Sequence, residues 1–298
     1  MYRVPVSGQP PGVTDTVVVR LAPHAAMGAK EAAVQRTVAA QGYRTPTVHV
    51  SEPDEHGRGW WSVMDFAAGA PLLAGLDGIA ALRRAPSLIR SIPLQLAEAM
   101  SALHRLDPEP VESAIRDVAP TVASTTADVI EELRSGAVTV DRPDVLAALD
   151  HLAGRMPRAT RRVVCHGDLH PFNVLAKPGG LVVLDWTSAL VADPSYDVAY
   201  TDLLLRHPPL QLPGSLRHVG RLAGRLLSNG FLAAYRRADP NNRTLEDLDW
   251  YRALHCARVV IEVMILREAA RTKGDPRFQL GPAAARTLSA FTSTDVYA

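Results

Sequence analysis

The stretch Arg162-Val-Val-Cys165-His166-Gly-Asp168-Leu-His170-Pro-Phe-Asn173-Val-Leu-Ala-Lys177-Pro-Gly-Gly180-Leu-Val-Val-Leu184-Asp185-Trp186 decides how this chain is read. It divides into a short strand, a polar loop, a strand, a Gly-Gly turn and a further strand. Asp168 and Asn173 stand on the polar loop, and Asp185 follows the apolar run from Leu181 to Leu184. Two strands joined over 177–180 would place Asn173 and Asp185 at the same end of a hairpin. A carboxylate, an amide oxygen and a second carboxylate then converge. Such an oxygen-only set suits magnesium, a hard cation usually held by one or two carboxylates together with substrate phosphates.

Working outward, the first quarter reads as strands around one helix. Strands are expected over 1–6, 16–21, 46–51 and 59–66, with a turn over 7–12. A helix is expected over 29–41, with Val34 and Val38 four apart and Gly42 as its stop. Gly69, Pro71, Gly75 and Gly78 mark 67–78 as a linker between two lobes. Beyond it helices are expected over 92–106, 120–135, 142–155, 214–238, 245–272 and 280–292. Leu96, Met100 and Leu103 form the apolar stripe of the first of these.

Composition excludes several classes. Charged residues are 21% of the chain and the formal net charge is +1, which argues against broad electrostatic binding to nucleic acid or to a membrane surface. Two cysteines, Cys165 and Cys256, make no disulfide framework and fit a reducing cytoplasm. The N-terminal residues lack the apolar core of a signal peptide, and no run is long and apolar enough to suggest a membrane span. Only three of the 32 basic residues are lysines: Lys30, Lys177 and Lys273.

The order His-x-Asp-x-x-x-x-Asn followed by a strand ending in Asp is that of a kinase catalytic loop and its metal aspartate. The segments His166–Asn173, Leu184-Asp185-Trp186 and Asp193-Pro-Ser-Tyr-Asp197-Val-Ala together resemble the aminoglycoside phosphotransferase/choline-kinase-like family of small-molecule kinases. Val17-Val-Val-Arg20-Leu21, Met64-Asp65-Phe66 with Gly69, and Ala102-Leu-His104-Arg-Leu-Asp107 resemble further parts of it. The resemblance implies an α+β, two-lobed protein-kinase-like fold, with a small β-rich lobe over 1–66 and a larger, mainly helical lobe over 67–298. It implies transfer of the terminal phosphate of ATP or GTP, with Mg²⁺, to a hydroxyl of a small molecule. Asp168 would be the catalytic base or hydroxyl-orienting residue, and Asn173 and Asp185 the magnesium ligands. Arg20, held by Glu31, would contact the nucleotide phosphates, and the backbone of Met64, Asp65 and Phe66 would meet the adenine.

Two departures from the pattern stand out. The basic strand residue is Arg20 rather than lysine; it keeps the charge in a bulkier, forked form. Tyr2-Arg3-Val4 resembles the family's second strand, so the first strand and its phosphate loop are expected to be missing. That motivates an alternative, a non-catalytic ligand-binding pseudokinase. Metal-assisted hydrolysis at the same carboxylates is a third reading. Residues 107–160 carry ten acids and five bases, and 210–298 carry thirteen bases and eight acids. Glu131, Glu132, Asp141 and Asp144 could line an acidic acceptor pocket, though a solvated helix face is the plainer expectation. His166 is expected to fix the loop by hydrogen bonds, Cys165 to be a buried inert thiol and Trp186 to pack. Asp193 is expected to cap or brace the loop, and Asp197 to brace it. Glu31 could equally lie on a solvated helix face.

Overall fold

The computed structural model describes residues 1–7, 15–72, 78–159, 161–177, 180–207, 217–239, 245, 247–268 and 277–297. Most of the turn expected over 7–12 lies outside these residues, as do Gly75 and Lys273.

The chain opens with β1 (Tyr2–Pro5) and β2 (Thr16–Ala22), then α1 (Ala25–Ala40), β3 (Val48–Pro53) and β4 (Trp60–Asp65). The four strands form one antiparallel sheet in the order β1-β2-β4-β3, with β1 and β3 at its edges. Period-two alternation puts Val18 and Arg20 on one face of β2. Val18 packs there against the cluster of Ala32, Val48 and Met64, so Arg20 faces α1 as well. Gly28 lets α1 close onto β4: a Cβ at that position would stand 2.4 Å from the Cβ of Trp60. Gly42, at φ +84°, ends the helix as its position suggested. Glu31 is buried, so the solvated-face reading of this residue does not hold.

The remaining elements are mainly helical. They are β5 (Ala70–Pro71), α2 (Gly78–Leu103), α3 (Pro108–Val118), α4 (Thr126–Thr139), α5 (Pro143–Ala153), β6 (Val163–Cys165), β7 (Val174–Lys177), β8 (Gly180–Val183), β9 (Leu190–Ala192), α6 (Pro194–Arg206), α7 (Arg217–Ala238), α8 (Leu248–Glu268) and α9 (Arg277–Thr292). β7 and β8 form a hairpin with β5 along its edge, and β6 pairs with β9. The main core lies in this part, and Leu96, Met100 and Leu103 are fully buried in it.

The helices depart from expectation at four places. α2 begins at Gly78 and not near 92; Pro86 and Pro93 lie inside it, and such residues ordinarily interrupt a helix. α3 was not expected; its signal was Asp107 before Pro108, an N-cap whose side chain accepts from the Glu109 N–H. The helix expected over 120–135 starts later, at Thr126, under a capping box between Thr125 and Asp128. α6 gives no amphipathic period because nearly every residue in it is buried.

Candidate active site

The loop between β6 and β7 carries Asp168 and Asn173, and hydrogen bonds from several elements fix it. His166 is neutral and fully engaged: Nε2–H donates to the Leu184 carbonyl (2.9 Å), while Nδ1 accepts from the Asp168 N–H (3.2 Å). Burial holds this imidazole below its ordinary pKa. Gly167 sits at φ +73°, and a Cβ there would lie 2.2 Å from the Ser188 carbonyl oxygen, so no other residue fits. Beneath the loop, the buried Asp197 carboxylate accepts from the N–H of His166 (2.8 Å) and of Gly167 (2.6 Å), and from His104 Nε2 (3.2 Å). Asp193 caps α6 by accepting from the Ser195 N–H. Thr201 Oγ1 donates to the Leu169 carbonyl (2.7 Å), and Arg258 Nη1 donates to the Gly167 carbonyl (2.8 Å).

Asp168 and Asn173 meet directly. The Asn173 amide donates to the Asp168 carbonyl (2.9 Å) and to its Oδ2 (3.2 Å), which leaves the amide oxygen as a donor atom for a cation. His170 Nε2 stands 3.5 Å from Asp168 Oδ1. Burial pushes the Asp168 carboxyl upward. The His170 contact and the charge of Arg258 outweigh it, so the group lies below the usual carboxylate range.

The β7–β8 register pairs Val174 with Val183, and Leu184 N–H donates to the Asn173 carbonyl (2.9 Å). Asn173 and Asp185 are thereby brought to one end of the hairpin. Asp185 has φ +65°, a strained conformation for a non-glycine residue and one often found at functional sites. Its Oδ1 accepts from Thr187 Oγ1 (2.7 Å) and from Arg20 Nη2 (3.0 Å). Arg20 Nε in turn pairs with Glu31 Oε2 at 2.9 Å. Burial raises the Asp185 carboxyl, and Arg20 and Thr187 pull it down to a net value below the ordinary one. Burial carries Glu31 up to about 7 despite Arg20. Arg20, Glu31 and Asp185 are thus joined by side-chain bonds, Asn173 and Asp168 form a second bonded pair, and the hairpin backbone brings the two to one end.

Met64 and Asp65 end β4, and Phe66 follows it. The N–H groups of Asp65 and Phe66 donate to Thr47 and Thr16 carbonyls, so those two donors serve the sheet. Trp186 is buried, donating Nε1–H to Thr45 Oγ1 (2.9 Å), and Cys165 is buried with its thiol pKa raised by desolvation. His104, Cys165 and Asp197 offer atoms within 4.8 Å of one another, but hydrogen bonds engage both Asp197 oxygens, so the group is a brace and not a cation site. Sequence reasoning missed Thr201, Arg258 and the role of His104. An arginine among Ala257, Val259 and Val260 was the available signal for Arg258.

The profile of the phosphotransferase enzyme family matches residues 9–225, most of the chain. The chain belongs to this family. It is therefore a phosphotransferase enzyme by family. No curated protein matches it significantly. Among solved structures it is similar to a protein from Ralstonia eutropha JMP134 (TM-score 0.64, 18% identity, 93% of this chain and 84% of that one). It is also similar to an amicoumacin kinase in complex with AMP-PNP, Ca²⁺ and its antibiotic (TM-score 0.62, 14% identity, 95% and 84%). A third match is the macrolide 2'-phosphotransferase of Brachybacterium faecium (TM-score 0.51, 16% identity, 90% and 84%). At these identities the likeness shows the two-lobed, protein-kinase-like fold. Among the described residues no helix is long and apolar enough to cross a membrane.

Proposed function

We propose that this enzyme moves the terminal phosphate of ATP or GTP to a hydroxyl of a small molecule, with Asp168 at the hydroxyl and Asn173 and Asp185 as ligands of Mg²⁺. The observation that carries this reading is the cluster of Asp168, Asn173 and Asp185 around one hairpin end. Its donor atoms are all oxygens, the chemistry a hard cation takes, so the residues present fit magnesium. When bound, the cation would neutralise charge on the donor's phosphates.

The chain's own groups do the rest. The acceptor hydroxyl donates to the Asp168 carboxylate, which orients its oxygen toward the terminal phosphorus. The new P–O bond forms as the bond from phosphorus to the donor's bridging oxygen breaks, and the hydroxyl proton passes to Asp168 and then to solvent. A carboxylate held below its usual pKa is a weak base, so positioning is its larger contribution. Arg20 would meet the nucleotide phosphates, exchanging its contact with Asp185 for them while Glu31 keeps the guanidinium in place. With the N–H groups of Asp65 and Phe66 engaged in the sheet, adenine would meet carbonyl oxygens of 64–66. The bonds that order Asp168 beside Asn173, and Asp185 beside Arg20 and Thr187, favour turnover over a non-catalytic binder.

Thermal shift tests this reading. ATP with Mg²⁺ should stabilise the enzyme more than ATP alone, by linkage. Asp185→Asn and Asn173→Ala should each remove the metal-dependent part. Equal shifts with and without Mg²⁺ in the unaltered enzyme would refute it.

A further inference from the structure

Beside the catalytic loop lies a cavity of about 340 Å³, walled by α4 and α8 and bordered by residues that follow Asp185. Its size is within the range of small-molecule sites. Two contacts join it to the cluster described above. Thr187 and Ser188, on its border, follow Asp185 by two and three residues, and Thr187 Oγ1 donates to its carboxylate (2.7 Å). Arg258, from α8, donates to the Gly167 carbonyl (2.8 Å) and to Ser188 Oγ (3.1 Å), so one guanidinium serves both the cavity and the loop before Asp168.

Most of the lining is apolar, with Val129 and Leu133 from one wall facing Ile261 and Ile265 from the other. Four charged residues complete it: Lys30, Glu132, Arg258 and Glu262. Arg258 and Glu262 neutralise each other at 2.7 Å. Lys30 is 3% exposed, and one of its three protons is donated to the Ala123 carbonyl (2.8 Å). Glu132 is exposed, and its charge acts on Lys30 from α4. The four charges sum to zero. The other acids of this region that the sequence offered do not help: Glu131 pairs with Arg134, Asp144 pairs with Arg142, and Asp141 is not among the lining residues.

We propose that this cavity holds the acceptor, and that it takes a largely apolar alcohol bearing at most one positive charge, with Lys30 turning away polycationic sugars. The acceptor role rests on the phosphotransfer reading; the charge preference rests on the lining alone. A single ammonium can pair with Glu132 at the rim. Further ammonium groups would be desolvated beside Lys30 and Arg258 with no carboxylate left to pair with, which is costly. Burial lowers the Lys30 amine to about 8, so it remains largely charged at neutral pH.

Calorimetric titration of the nucleotide-free enzyme at pH 7 tests the preference with a matched series: octyl glucoside, its monoamino analogue and its triamino analogue, all below their micelle concentrations. The uncharged and monoamino probes should bind at least tenfold more tightly than the triamino probe. Lys30→Met should tighten the triamino probe by about tenfold, a change of ~1.4 kcal/mol, and leave octyl glucoside nearly unchanged. Glu132→Gln should weaken the monoamino probe relative to octyl glucoside. Tightest binding by the triamino probe, no binding by either of the other two, or an unaltered triamino affinity in Lys30→Met would each overturn the proposal. Because no nucleotide is present, these outcomes are separate from those that bear on phosphate transfer. A reversed charge order leaves the transfer reading standing, and a missing magnesium response in the thermal shift leaves the charge order standing.

Discussion

Asp197→Asn isolates what holds the catalytic loop. The carboxylate is 1% exposed and accepts three hydrogen bonds, from the N–H groups of His166 and Gly167 and from His104 Nε2, at 2.8, 2.6 and 3.2 Å. Burial alone would raise its pKa; the hydrogen bonds from His104 and from the Gly167 N–H bring it below the ordinary value. Asparagine keeps the shape but has one oxygen and one NH₂. Its NH₂ must confront at least one of the three donors. One buried donor left unsatisfied costs about 1–3 kcal/mol. The remaining bonds lose their charge assistance, roughly a further 1–2 kcal/mol in total. The expected loss is therefore about 2–5 kcal/mol. For a chain of this size that is a fall in Tm on the order of 10 °C. Urea denaturation followed by circular dichroism reads the stability, and phosphoryl transfer by the still-folded fraction reads the loop. Transfer should fall by roughly a hundredfold or more, as misplacement of a positioned group does. A variant within about 0.5 kcal/mol of the unaltered enzyme, with normal turnover, would show that Asp197 does not brace the loop.

Three other outcomes follow from the same contacts. Burial, reinforced by the charge of Arg258, depresses the His255 pKa to about 3, and its Nε2–H donates to the Tyr196 carbonyl. The unfolded chain takes up this proton first, so stability present above about pH 6.5 is lost as pH falls toward 3, with about 2 kcal/mol gone by pH 5; His255→Gln should flatten that part of a stability–pH curve, and an unchanged slope would contradict it. Gly167→Ala must relieve both a left-handed backbone and the contact with Ser188, at about 2–4 kcal/mol, measured by urea midpoint; a loss under ~1 kcal/mol on that scale would contradict the close approach. Arg20→Gln removes the ion-pair partner of Glu31 and should raise the nucleotide KM more than it lowers kcat, and an unchanged KM would remove Arg20 from the phosphate site.

The hairpin of the candidate site was legible because it is local. The two strands lie within a few residues of one another, and their register brings Asn173 and Asp185 to one end of the hairpin. The pair of Arg20 and Glu31 was legible only through resemblance, since the contact depends on how α1 crosses the sheet. Helix boundaries failed where a local rule was overridden: α2 runs through Pro86 and Pro93 because its tertiary packing outweighs what the prolines cost. α6 escaped because a fully buried helix shows no polar face. Arg258 and Thr201 act over distances of 91 and 32 residues, and no spacing rule reaches that far. The acidic residues of α4 show the same limit in reverse, since sequence grouped Glu131 with Glu132, while the fold puts only Glu132 on the cavity.

The most direct test of the account is phosphate transfer from γ-labelled ATP by Asp168→Asn, compared with the unaltered enzyme on any acceptor that the latter phosphorylates. Asparagine preserves the size of the side chain and its place beside Asn173 but removes the charge that orients the hydroxyl. The account predicts a fall in kcat of about a hundredfold or more, with the urea midpoint little changed and the Mg²⁺-dependent ATP shift retained. Turnover by the folded variant equal to that of the unaltered enzyme would contradict it.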